Sequence, residues 1–297
     1  MLGNRLEAAP RILIRKATAP KLPPLGVTDR AIRDALRFAV QRIKDATVRA
    51  EVTRALDRGD VQGAVDAIRW GEGEAFLASA LPRAYRSAYE LAGERAVTRL
   101  QLGGSFDIVN ERAVRFVRER SAALIREWGD SSQAAVRALI ERAFQDGIPA
   151  RALGRLIVES GIGLTERQAV AVERFRVRLE DNDDLDLTQA QVDARTDRYA
   201  RELLRQRGEV IARTEVILGS REGEQESWRQ AGEQGFLDLS VAVQEWSAVL
   251  DSRTDEDCAE LDGTTAKLGE PFPGGSLGPP LHPMCRCGLL LLPDGPR

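Results

Sequence analysis

From Thr28 to about Gly232 the apolar residues recur every three or four positions, the spacing of amphipathic helices. Ile32, Leu36, Val40 and Ile43 set the first stripe, with Arg and Asp on the opposite face. Asp60 is placed to cap a short helix carrying Val61, Val65 and Ile68. A long helix is predicted over 75–100, bent or restarted at Pro82 and ended by Gly103-Gly104. Val109 to Trp128 predicts another, and Ser131 or Ser132 the start of the next, closed by Gly147 and Pro149. A short helix then runs to Ser160, and Gly161 to Gly163 turn the chain. Thr165 with Gln168, and Thr188 with Gln191, are capping-box pairs that open two further helices. Between those helices lies an acidic loop, 180–186, and Gly208 breaks or thins the later one. An array of this kind is expected to keep its charged faces in solvent.

Beyond Gly232 the period changes. Leu239 to Leu250, rich in Val and Trp, predicts one or two strands, and Leu289 to Leu292 a short strand able to pair with them. Gly263, Gly269, Pro271, Pro273, Gly274 and Gly275 predict a long irregular loop between the two. The fold class is therefore mainly α: an extended multi-helix region followed by a small C-terminal α+β module. Four segments follow: an arm over 1–29, a helical region over 30–148, a second helical region over 149–232 and the α+β module over 233–297. The arm carries Arg5, Arg11, Arg15, Lys16 and Lys21 among four prolines, a composition suited to a free terminus or to DNA phosphates.

Composition narrows the class. The net charge is only -3, so no global field draws the chain to nucleic acid or membrane. No apolar run approaches the ~20 residues of a membrane span, and no signal-peptide pattern opens the chain. A protein made in a cytoplasm is expected, where disulfides are disfavoured.

The chain has three cysteines and one histidine, and all four fall in its last fifty residues: Cys258, His282, Cys285 and Cys287. A ligand, a loop and then H-x-x-C-x-C would suit a tetrahedral zinc ion with every position filled by protein, hence a structural site. A module so small needs such a staple. Reduced free cysteines, or a disulfide using Cys258, are the alternatives. Nearby, Asp251, Arg253, Thr254, Asp262 and Gly263 suit turns and arginine pairing more than acid–base work. The only histidine is committed to the metal, so no Ser-His-Asp triad can form. There is no P-loop, GxGxxG or HExxH motif. Arg213-Thr214-Glu215, taken alone, looks like helix surface.

In order along the chain, Ile162 to Thr165, Arg167 to Ala169, Arg213-Thr214-Glu215, Trp246, Asp251 to Thr254, Cys258, Asp262-Gly263 and Pro279 to Cys287 resemble the phage head morphogenesis family. These are minor head proteins similar to protein F of bacteriophage Mu, and the likeness covers about 150–293. The resemblance implies a structural, non-enzymatic virion protein associated with the portal and the head interior. Its implied partners are the portal protein, the major capsid or scaffolding protein, and double-stranded DNA, with no membrane. The family pattern often has Asn at position 284, where this chain has Met, which assigns that position to the turn and not to the metal. The competing reading is a metal-dependent nuclease or other hydrolase acting on phage DNA, with Asp251, Glu256 or Asp262 as acid or base.

Overall fold

The computed structural model describes residues 28–100 and 104–295. The basic residues Arg5, Arg11, Arg15, Lys16 and Lys21 lie outside the described residues, as does Gly103, while Thr28 and Asp29 already belong to the first helix. Nine α-helices and three strands are described, in the order α1 (Thr28–Ala46), α2 (Arg49–Asp57), α3 (Val61–Asp66), α4 (Trp70–Leu100), α5 (Glu111–Gln145), α6 (Ala150–Leu156), α7 (Glu166–Glu180), α8 (Gln189–Glu233), β1 (Val243–Ser247), α9 (Glu256–Leu261), β2 (Thr265–Lys267) and β3 (Gly288–Leu292). Among the described residues, no helix is long and apolar enough to cross a membrane.

Local chemistry sets most of the helix starts. The Asp60 carboxylate accepts from the Gly63 amide at 2.8 Å, and the Asn110 side chain opens α5 by accepting from Arg112 and Ala113. Both predicted capping boxes form, Thr165 with Gln168 and Thr188 with Gln191. After α6 the chain widens into a π turn over Ile157–Gly161. Carbonyls of this turn and of the residues just after it are met from neighbouring helices: Lys44 Nζ donates to Glu159 O at 2.5 Å, and Arg207 donates to Gly163 O at 2.5 Å.

One predicted helix boundary is absent, and two positions left open by the sequence are resolved as continuous helix. The restart at Ser131 or Ser132 does not occur, and α5 runs unbroken for 35 residues. Ser132 is buried and its hydroxyl donates back to Trp128 O at 2.7 Å, so it serves mid-helix and caps nothing. Likewise α4 passes through Pro82 without restarting. α8 continues through Gly208 for 45 residues, about 68 Å at 1.5 Å per residue.

α8 is the spine. α4 and α1 pack along it, and one core joins Ile32, Leu36, Val40 and Ile43 of α1 to Leu77, Leu81 and Tyr85 of α4 and to Ala212 and Val216 of α8. That core unites residues from both sides of position 148. The α4–α8 crossing is close because Gly223 faces backbone: a Cβ there would stand 2.2 Å from Tyr89 O and 2.9 Å from Tyr89 C. Neither atom can move without shifting α4. Gly223→Ala is therefore expected to destabilise the protein by about 3 kcal/mol or more, despite alanine's better helix propensity. A chemical-denaturation midpoint equal to the parent's would refute this.

The charged residues are not simply solvated, contrary to the expectation from composition. Glu226 is buried and held by Arg112 through both carboxylate oxygens. Glu173, also buried, takes Arg142 at 2.5 Å. Arg176, with a side chain 5% exposed, bonds Asp193 at 2.7 Å. In this low-aromatic chain, arginine–carboxylate pairs stitch helices that larger side chains would otherwise lock.

The C-terminal module is a three-stranded antiparallel sheet in the order β2-β1-β3, with Trp246 opposite Leu289 and Glu245 opposite Thr265. The pairing of Leu289 to Leu292 with the earlier strand is thus as expected. The strand proper is shorter than 239–250, because 238–242 turn: Asp238 accepts from Ser240, and Leu239 covers Gly232. β2 interrupts the loop predicted from Gly263 to Gly275, and α9, which was not predicted, precedes it. A second core gathers Trp246, Leu261, Phe272, Cys285, Cys287, Leu289 and Leu291 against Ala96 of α4 and Trp228 and Ala231 of α8.

Candidate metal centre

Cys258 sits in the first turn of α9, which Asp255 caps by accepting from the Asp257 amide. His282, Cys285 and Cys287 lie on the segment leading into β3. The turn between the first two of these is built around Met284, whose φ is +64°. That left-handed conformation is one that Asn tolerates better than most residues, in keeping with a turn role for the position. The Met284 amide donates to Thr214 Oγ1 at 3.4 Å, so the ligand loop is tied to α8 through the middle residue of Arg213-Thr214-Glu215.

One ligand atom each from Cys258, His282 and Cys285 lie within 4.8 Å of one another. The Cys258 and Cys285 sulfurs are 3.8 Å apart. A disulfide requires about 2.05 Å. Two thiolates at about 2.3 Å from a tetrahedral zinc are separated by about 3.8 Å, so the spacing fits shared coordination, and all three cysteines are free. His282 Nδ1 lies 2.9 Å from the Pro283 carbonyl. A carbonyl only accepts, so Nδ1 carries the proton and Nε2 keeps the lone pair for a metal. Cys287 does not join the tight group of three. Its sulfur instead neighbours those of Cys258 and Cys285, placing it as the fourth donor from the sulfur side.

The electrostatics of this donor set ask for a cation. Cys285 is pulled down to about 5, first by the hydrogen bond from Cys287 and against the cost of its burial. Cys258 is pushed up to about 11, mainly by burial. Cys287 is pushed upward because its proton is held by Cys285 and because it is buried. Three buried sulfurs that neighbour one another cannot all ionise without a positive charge among them. A dication would allow them to ionise, with release of their protons. Trp246 completes the picture. Its Nε1 is buried without an oxygen or nitrogen partner among the described residues, and it lies against the Cys287 sulfur, favouring the thiolate. An orphan donor aimed at a sulfur is what a metal thiolate would satisfy.

The remaining motif residues are placed as supports. Asp251 receives Arg286 through both oxygens, at 2.7 and 2.5 Å, and its carboxyl is held well below the usual range, chiefly by that arginine. Arg286 lies between two of the cysteines, so this pair clamps the ligand strand to the end of β1. Arg253 offers its amide to Asp251, and Thr254 Oγ1 accepts from the Asp251 amide. Asp262 accepts from the Ala248 amide at 2.8 Å, and Gly263, at φ +75°, turns the chain into β2. Glu215 departs from the surface reading: it is 4% exposed and takes Arg120 Nε at 2.7 Å and the Tyr85 hydroxyl. Arg213 is half-buried, with Nε lacking a partner among the described residues. Sequence reasoning missed Arg286, Tyr85 and Arg120. Arg286 was recoverable from its place between two cysteines, whereas nothing near Tyr85 or Arg120 points to Glu215.

Comparison with known proteins bears on the same stretch. The family model described as Phage Mu protein F like protein matches residues 134–290, from the middle of α5 through β3. No curated protein and no solved structure matches the chain. The matched span is more than half of the chain and contains every ligand and clamp residue above, and the chain belongs to the family of proteins like protein F of phage Mu, a family of phage head morphogenesis.

Proposed function

We propose that this protein is a structural, non-enzymatic component of the phage head, built into the procapsid next to the portal and the head interior. The family match over residues 134–290 carries the reading. The site chemistry supports it. A donor set of three thiols and one imidazole leaves a bound zinc no open position for water or substrate. Two of the three carboxylates a hydrolase could use here are engaged, Asp251 with Arg286 and Asp262 with the Ala248 amide, while Glu256 is exposed on α9. Zinc here would hold the module together, and the module would present a fixed surface to the portal or to capsid and scaffolding subunits. Double-stranded DNA would be within reach of the basic arm.

The test is co-purification. When expressed with the portal protein of the same genome, the chain is expected to elute with portal oligomers and to survive a moderate-salt wash. Separate elution of the two, together with absence of the chain from purified heads, would overturn the assignment.

A further inference from the structure

α7 and α8 run antiparallel through the acidic turn between them, with the Phe175 and Tyr199 rings in tilted contact at 4.7 Å and Gln168 bonded to Leu203 O. The inner side of this hairpin is ionically satisfied. Arg176 pairs with Asp193 and Glu180, and Arg155 with Asp193 and Asp197. The outer side is different. Arg167, Arg174 and Arg178 of α7 are exposed, as are Arg195, Arg198 and Arg201 of α8. Among the described residues none of the six makes an ion pair or a side-chain hydrogen bond; Arg205, next along α8, is held by Glu202 and Glu209.

These arginines line two shallow grooves that share Tyr199. Together the grooves hold seven arginines and two carboxylates, Glu166 and Glu202, on a chain whose net charge is -3. Past Arg201 and Arg205 the adjoining cavity is of mixed charge, with Arg33 paired to Glu209 and Arg37 to Asp34. The basic strip stops at the hairpin tip, where Glu180, Asp181, Asp184 and Asp186 would repel an anion.

We propose that this outer face of the α7–α8 hairpin binds the phosphate backbone of duplex nucleic acid, independently of sequence. Arg195 to Arg201 span about 9 Å of helix, a length over which a duplex presents about five phosphate charges. Exposed guanidinium groups without carboxylate partners meet that density at no cost of breaking internal pairs. A protein partner fits less well, since protein interfaces centre on apolar residues with charge depleted, and here the central aromatics are spent on each other. The site is distinct from the basic arm and does not depend on the head-assembly role.

Binding of the full-length chain to a 30-base-pair duplex of arbitrary sequence, followed by fluorescence anisotropy across a salt series, tests this. The triple variant Arg174→Glu, Arg198→Glu, Arg201→Glu is expected to weaken binding at least tenfold and to flatten the log–log salt slope by about three. The milder triple Arg→Gln variant should give the same slope change with the parent's circular dichroism. Reversal of three exposed arginines elsewhere, Arg83, Arg86 and Arg118, changes net charge equally and should leave the slope unchanged. Deletion of 1–27 should leave the slope contribution of the hairpin face in place. Three results overturn the proposal: equal losses in the two charge-reversed triples, a slope abolished by the arm deletion alone, or no duplex binding by the parent. The last is the outcome expected if the face instead meets an acidic protein.

Discussion

Replacing Cys285 with serine is expected to strip the zinc and unfold the C-terminal module while the helical body stays folded. Cys285 is fully buried, lies 3.8 Å from the Cys258 sulfur and belongs to the group of three shared with His282. The module has little else. Its sheet has three strands, one of three residues, and its core leans on Trp228 and Ala96 of the body. Bound structural zinc contributes on the order of 10 kcal/mol in small domains, more than such a sheet could replace. The parent should therefore carry one zinc per chain by elemental analysis, and C285S well under half. Protease resistance after 240 and the Trp246 environment should be lost, with only a small drop in helical circular dichroism because α9 is the module's one helix. A chelator should do the same to the parent. Met284→Asn is the control: it keeps the left-handed turn and should retain full zinc. If C285S keeps one zinc per chain and an intact module, the four residues are not a metal centre.

How much of this was legible in the sequence depends on the range of the interaction. Caps and turns are local: Asp60, Thr165 with Gln168, and Thr188 with Gln191 act within one turn, and each forms as its spacing predicts. The metal cluster was legible because thiols and an imidazole are scarce in this chain and confined to one stretch. Continuity of α5 was not, since Ser132 carries a breaking tendency that burial against neighbouring helices overrides, and at Gly208 the sequence left open whether α8 breaks. α9 and β2 escaped notice because neither is long enough to establish a period, and β2 also lies among the glycines that follow Gly263. Sequence also cannot separate Arg174, which stands in solvent, from Arg176, which is buried against Asp193. Both belong to the same helical run, and only the packing of α7 on α8 distinguishes them.

The same blindness hid Glu215, whose removal is the second large effect expected. Its carboxylate is buried between α4, α5 and α8, accepting from the Tyr85 hydroxyl and, through both oxygens, from Arg120. Arg120 also reaches Glu127, which is over half exposed, so Glu215 supplies its buried anchor. With Glu215→Ala, the guanidinium would keep only a solvent-side partner and the Tyr85 hydroxyl none in the network. Breaking such a pair from one side costs about 3–5 kcal/mol, because an uncompensated charge stays behind. Replacing the whole network by apolar groups removes that penalty. Glu215→Leu with Arg120→Met and Tyr85→Phe is accordingly expected to recover most of the loss, which chemical denaturation of the single, double and triple variants would measure. A loss under 1 kcal/mol in E215A would mean that Arg120 finds water or Glu127 at no cost. Equal destabilisation in E215A and the triple variant would mean that the network is itself net stabilising, and not merely expensive to break.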